Sequence, residues 1–294
     1  MKGGINGTRH LQQRPSETFV RYAARRAIAE RELLWNLLLR DLRSRYRRST
    51  IGWLWSMINP AVMTAIYTFV FTVFFHVKPA PGIPSGMTAY AFYLLGGLLP
   101  WNALVNGVTG ASAALVGGGG LMAKVRFARE HLVFATVLAM STTLLAELSV
   151  LALMELIGGY VVLQLLPIVL LLVLLLTMFI AGVSLVVAAL NLRYRDVQHL
   201  MSIGFLVWFY LTPVIYPVGL IPEKFSIGGA TLPLRTILGM NPMSRFVLAF
   251  RNCFFDVTLP GIGTMVGLVA ISFTTFSVGY RFFIRRAPWF VEEL

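Results

Sequence analysis

Five stretches of this chain contain no lysine, arginine, aspartate or glutamate: residues 49–77, 79–123, 156–192, 197–222 and 257–280. A helix needs about 20 mostly apolar residues to cross the roughly 30 Å hydrocarbon core of a bilayer, at about 1.5 Å per residue. Each stretch is long enough. Composition points the same way, because 57% of the 294 residues are hydrophobic and only 13% are charged, about half the charged share of a soluble domain. The chain is therefore read as a membrane protein.

The net charge of +13 raises the question of nucleic acid, but 12 of the 25 Lys and Arg residues precede residue 50 and the others sit between or after the apolar runs. They act as topology signals, and no nucleic-acid partner is expected. A secretory signal would place its apolar core within about the first 15–30 residues, whereas the first uncharged run begins near Ser49. The N-terminus is expected to stay in the cytoplasm. Cys253 is the single cysteine, which excludes an intrachain disulfide and a cysteine-cluster metal site.

The chain divides into a polar tail (1–16), a basic amphipathic segment (17–50), a six-span domain (51–284) and a short tail (285–294). Within 17–50, Ile28, Trp35, Leu39, Leu42 and Tyr46 fall three, four or seven apart beside Arg40, Arg43 and Arg47. That pattern predicts a helix lying on an anionic cytoplasmic leaflet. Spans are predicted near 52–77, 88–116 (with Pro100), 132–157, 167–190, 197–214 and 262–283. The section from about 216 to 261 is mixed and proline-rich, and is expected outside the cytoplasm as a re-entrant or surface segment. With six spans both termini share a side. That side then carries 20 of the 25 Lys and Arg residues, against Lys78, Lys224, Arg235, Arg245 and Arg251 opposite, so both termini are assigned to the cytoplasm. The fold class is all-α: a polytopic membrane protein with six transmembrane helices behind an N-terminal interfacial helix.

Signatures of chemistry are missing. There is no G-x-x-x-x-G-K-[ST] phosphate loop, no H-E-x-x-H and no aspartate pair at a cytoplasmic membrane edge. The Gly117–Gly120 run before Lys124 has the wrong spacing for phosphate and is read as a helix break. No catalytic residue and no metal site are expected, and energy for work against a gradient would come from another chain.

Four motifs resemble one family. RDLRSRYRRSTIGWLWSMINP, Arg40 to Pro60, is similar to the opening motif of polysaccharide-exporting ABC-2 permeases. LMAKVRFAREHL, Leu121 to Leu132, resembles their first cytoplasmic loop, although Ala128 stands where the family usually has proline. TPVIYP, Thr212 to Pro217, is similar to the family's Ser-Pro-Val-Tyr-Pro element, and Asn241-Pro242 with Arg251 resembles the outer segment before the last span. The resemblance covers roughly residues 30–290. It implies a homodimeric permease in a bacterial cytoplasmic membrane, paired with two copies of an ABC ATPase and moving a lipid-linked glycan outward, of O-antigen, capsule, teichoic-acid or galactan type. This chain would hold no cofactor, with ATP and Mg bound by the partner ATPase. Rival readings are an ABC-2 exporter of a lipid or drug, a membrane-embedded transferase acting on a polyprenyl-phosphate sugar, and a passive channel.

Candidate site residues follow from those expectations. Contact with the ATPase is assigned to Lys124, Arg126, Phe127, Arg129 and Glu130, one aromatic anchor amid charges, with Arg193, Arg195 and Asp196 as the second loop. A glycan path needs ring faces or hydrogen bonds where lipid offers neither. Tyr67, Phe71 and Phe74 on the first span, and Trp208, Tyr210 and Tyr216 on and just after the fifth, are candidates for it, with Phe205 and Phe209 close to the same stripe. Packing or lipid-facing aromatics are the competing reading. Glu147 lies near the middle of the third span, where an ionised group is costly unless paired, and is a candidate intramembrane acid. Glu155, nearer the outer boundary, is expected to be wet.

Overall fold

The computed structural model describes residues 32–43, 55–74, 76, 80–118, 129–194, 196–222, 225–227 and 230–286. We number its helices in chain order: α1 (32–43), α2 (Trp55–Phe69, continued by a π-turn Val70–Phe74), α3 (Tyr90–Gly117), α4 (Glu130–Ile157), α5 (Leu166–Arg193), α6 (Val197–Tyr210), α7 (Leu234–Met240), α8 (Pro242–Arg251) and α9 (Ile262–Arg286). A small hairpin, β1 (Phe225–Ile227) and β2 (Ala230–Leu232), pairs Ser226 with Thr231 in antiparallel register.

Five helical segments are long and apolar enough to cross a bilayer: Met57–Phe74, Tyr90–Gly117, Glu130–Ile157, Leu163–Arg193 and Ile262–Arg286. The fifth in sequence order of the six expected spans differs. Helix α6 has 14 residues, about 21 Å at 1.5 Å per residue, and falls short of a full crossing. Pro213 is the reason, since it lacks the N–H that would continue the ladder and biases Thr212 away from helical backbone.

Helices α3 and α5 form the centre. Helix α3 packs along α4 and α5, and α5 packs along α9. Close crossing of α5 and α9 depends on glycine, because a Cβ at Gly182 would lie 2.5 Å from the Thr275 carbonyl oxygen. Small residues let spanning helices approach where no hydrophobic effect drives them together. Ser141 and Thr177 add a 2.7 Å hydroxyl contact between α4 and α5. Helices α2 and α9 lie at the periphery, with Val62, Ile66, Phe69, Val266 and Phe273 exposed.

Helix α1 turns to the bundle a face other than the Trp35, Leu39 and Leu42 stripe. Leu37 and Leu38 are buried and Leu33 and Leu34 pack on the core, while Trp35 is 58% exposed and Arg40 and Arg43 are exposed. Residues 33, 34, 37 and 38 form their own i, i+3/i+4 stripe. The Trp35, Leu39 and Leu42 stripe is thus a second apolar face, left for a surface other than the bundle. Tyr46 and Arg47 lie outside the described residues.

The expectation that Glu155 is wet is corrected. Its side chain is fully buried and neither carboxyl oxygen has a hydrogen-bond partner among the described residues. The turn after α4 folds back over it: the Tyr160 N–H donates to the Glu155 carbonyl at 2.9 Å, and Val162 and Leu165 are buried beyond.

Candidate functional site

Where α6 stops, the backbone from Tyr210 to Pro217 leaves helical geometry while still packed inside the bundle. Thr212, Pro213, Val214 and Ile215 are all buried. Irregular backbone at such depth is tolerated only when protein or water satisfies its polar groups. Here every carbonyl of the break is accounted for. The Tyr216 hydroxyl donates to Tyr210 O at 2.8 Å and the Asn241 amide to Leu211 O at 3.3 Å. Val214 N donates to Thr212 O at 2.6 Å and Leu220 N to Pro217 O at 3.0 Å. Arg251 Nη1 donates to Pro213 O at 2.6 Å, and its Nη2 to Val214 O. The Tyr90 hydroxyl donates to Ile215 O, and the Tyr93 hydroxyl to Tyr216 O at 3.2 Å.

Two residues of the segment between α6 and α9 organise this joint. Arg251, the last residue of α8, is 3% exposed; its Nε donates to Tyr93 O at 3.1 Å and its guanidinium lies 3.7 Å from the centre of the Tyr93 ring. A planar fork of donors suits adjacent carbonyls as a lysine could not. Space for it comes from Gly96 and Gly97 on α3: a Cβ at Gly97 would sit 3.0 Å from Nη2, and one at Gly96 3.4 Å from the Arg251 Cγ.

Asn241 uses its whole amide. Its oxygen accepts from Met243 N at 3.0 Å and from the Trp208 indole N–H at 2.8 Å, while its nitrogen donates to Thr212 Oγ1 at 2.9 Å and to Leu211 O. Asparagine at the N-cap with proline at N1 is a strong start signal for α8, and the remaining bonds tie that start to the end of α6. Helix α8 itself is deeply placed, with Met243, Phe246, Val247, Ala249 and Phe250 all at 0% exposure.

Outward of the joint, Ile83 N donates to Asp256 Oδ1 at 3.2 Å and the Ser85 hydroxyl to Phe255 O at 2.5 Å. These bonds fasten the loop between α2 and α3 to the chain following α8. A cavity of about 370 Å³ opens there, lined in part by Tyr93, Pro217, Arg251, Asn252 and Asp256. Burial holds the Asp256 carboxyl above its ordinary range, opposed by the Ile83 N–H and by Arg251.

The candidate path aromatics fall into two groups. Tyr67 and Phe71, both half-buried, join an array in which Phe71 stacks on Tyr90 at 5.7 Å, Tyr90 on Tyr93 at 6.1 Å, and Phe255 meets Tyr93 edge-on at 5.3 Å. Trp208 joins Phe205, Phe209 and Trp101, with Trp101 edge-on to Trp208 at 5.8 Å. The Trp208 N–H and the Tyr216 hydroxyl are committed to Asn241 and to Tyr210 O. Tyr210 and Phe74 are exposed, at 56% and 68%.

Of the coupling candidates, Lys124, Arg126, Phe127 and Arg195 lie outside the described residues. Arg129 and Glu130 start α4, where an acidic first turn complements the helix dipole. Arg193 ends α5 with its guanidinium 5.3 Å from the Tyr194 ring centre, and Asp196 is exposed just before α6. Glu147 is 7% exposed and lines an apolar cavity between α2, α3 and α4. The sequence reading missed Tyr90, Tyr93, Gly96 and Gly97 altogether and took Arg251 only as a motif residue. The available signal was the three-residue spacing of two tyrosines beside a glycine pair, and one arginine closing an otherwise apolar stretch.

The amino-acid sequence of this region matches a known family of proteins. Residues 32–255, from α1 through α8 and the turn beyond it, match the family described as ABC-2 type transporter. The chain belongs to that family. It is 29% identical over 269 residues to an O-antigen export system permease protein, RfbA, of Myxococcus xanthus, covering 90% of this chain and 96% of that one. An RfbA of Klebsiella pneumoniae with the same description is 29% identical over 229 residues, 78% of this chain and 82% of the relative. The matched region takes in both halves of the joint, the Thr212–Pro217 break and Arg251.

Proposed function

We propose that the chain is the permease subunit of an ATP-driven exporter that moves a lipid-linked polysaccharide of O-antigen type across a bacterial cytoplasmic membrane. The observation that carries this reading is the length of the similarity: a permease described for O-antigen export aligns with 90% of this chain at 29% identity, with no large insertion left to change the role. Five bilayer-length helices and a sixth shorter one supply the membrane part.

Two copies of the chain would form the conduit, each joined to a copy of a separate ATPase, because this sequence has no phosphate-binding loop. That partner binds ATP with Mg and hydrolyses it. The distribution of Lys and Arg supports cytoplasmic termini, and on that reading Arg129, Arg193, Arg285 and Arg286 mark the cytoplasmic helix ends. The ATPase would dock on the 121–130 segment and on Arg193 to Asp196. Glycan would pass along ring faces contributed by Tyr67, Phe71, Phe74 and Tyr210, while Trp208 and Tyr216 offer their rings but not their donors.

Deleting the gene in its own host tests the proposal. The expected result is loss of one surface polysaccharide together with accumulation of its lipid-linked form in the cytoplasmic membrane. An unchanged surface glycan, with no intracellular intermediate, would refute it.

A further inference from the structure

We propose that the open cavity between α2, α3 and α4 is a binding site for an amphiphile with an apolar body and a single protonated amine. The cavity measures about 550 Å³, within the range of small-molecule sites. Its walls are apolar apart from Thr64, Thr68 and Glu147. The space exists because α2 presents Ala61, Thr64, Ala65 and Thr68 to it, small residues at helical spacing, across from Leu151 and Met154.

Glu147 gives the site its chemistry. It is 93% buried, as its 7% exposure shows, and has no hydrogen bond or ion pair among the described residues. The hydroxyls of Thr64 and Thr68 likewise lack partners, and Thr64 is 7% exposed. Three polar groups without partners among the described residues therefore line one apolar space. Buried polar groups in native proteins are nearly always satisfied, and each exception calls for a missing partner. A carboxylate in the hydrocarbon region needs a cation, and among the described residues no arginine or lysine lines this cavity. A ligand ammonium supplies that charge and its donors together, while the two threonine oxygens accept its remaining N–H groups. The alkyl body then lies along Ala61, Leu95, Leu151 and Met154.

The test uses the purified full-length chain in nanodiscs of zwitterionic lipid, with a photoreactive long-chain primary amine and the alcohol of the same skeleton. Labelled peptides are identified by mass spectrometry. The amine should label peptides spanning residues 57–69 and 147–154, at about tenfold or more above the alcohol, in keeping with a charge-assisted bond to a buried partner. Glu147→Gln should bring amine labelling down to the alcohol level. Ala65→Phe keeps the acid but fills the space, and should remove labelling by both probes. Equal labelling by amine and alcohol, or amine labelling that survives either substitution, overturns the proposal.

Discussion

Arg251 Nη1 donates to the carbonyl oxygen of Pro213 across 2.6 Å, joining residues 38 apart in sequence. The bond supplies a donor to a carbonyl that the broken helix α6 can no longer serve. A guanidinium taken out of water costs several kcal/mol unless it is hydrogen-bonded, and an unpaired carbonyl about 1–3 kcal/mol. Each therefore makes the other tolerable at depth. The joint ties the end of α6, the start of α3 and the end of α8 to one another.

Arg251→Ala should lower stability by several kcal/mol, at about 1–3 kcal/mol for each of the two carbonyls, of Pro213 and Val214, that it leaves without a donor. Arg251→Lys should fall between, keeping charge but losing the planar fork. Thermal unfolding of the detergent-solubilised protein measures both. Equal melting temperatures for wild type and Arg251→Ala would show that the joint contributes nothing.

Gly97→Val should reproduce much of the Arg251→Ala phenotype without touching a polar group. A Cβ there already stands 3.0 Å from the guanidinium and 3.1 Å from the Val247 side chain, so a branched residue displaces one or both. Overpacking of this kind typically costs about 1–3 kcal/mol. The same melting assay, with the double variant Gly97→Val/Arg251→Ala, should give less than the sum of the two losses because both act on one interaction.

Trp208→Phe should be mild, about 1 kcal/mol, since Asn241 Oδ1 keeps its bond from Met243 N. Asn241→Ala should be several times worse, because four bonds are lost and α8 loses its cap. Comparable losses for the two variants would contradict the assignment of Asn241 as the organiser.

Topology can be read with single cysteines. Cys253 is fully buried, so wild-type protein should resist an impermeant maleimide. Leu220→Cys, on an exposed turn beyond α6, should react in intact cells, while Asp196→Cys, exposed before α6, should react only after permeabilisation. The two sites flank α6 and the break that follows it, and labelling of both from one side would mean that helix and break together do not complete the crossing.

How much of this could be read from the amino-acid sequence follows from what kind of force sets each feature. The long spans are composition and length alone, and charge-free runs reveal them. The break after α6 was visible only as TPVIYP, because proline announces that a helix stops but not how its carbonyls are served. Their long-range donors come from Tyr90, Tyr93, Asn241 and Arg251, between 30 and 125 residues away from the carbonyls they bind. No periodicity links such positions. Helix α1 shows the same limit: it carries two apolar stripes, and only tertiary packing decides that Leu33, Leu34, Leu37 and Leu38 meet the bundle. The burial of Glu155 depended on a turn folding back, which Gly158 and Gly159 permit but do not dictate.

Transport itself decides the central claim. Permease and its cognate ATPase would be reconstituted in inside-out orientation with the lipid-linked glycan of the host, and the glycan fraction shielded from an added glycan-degrading enzyme followed over time. ATP should raise the protected fraction for the wild type but not for Arg251→Ala at a temperature where both remain folded. Protection that is independent of ATP, or a wild type that moves no glycan while its ATPase is active, would contradict the account.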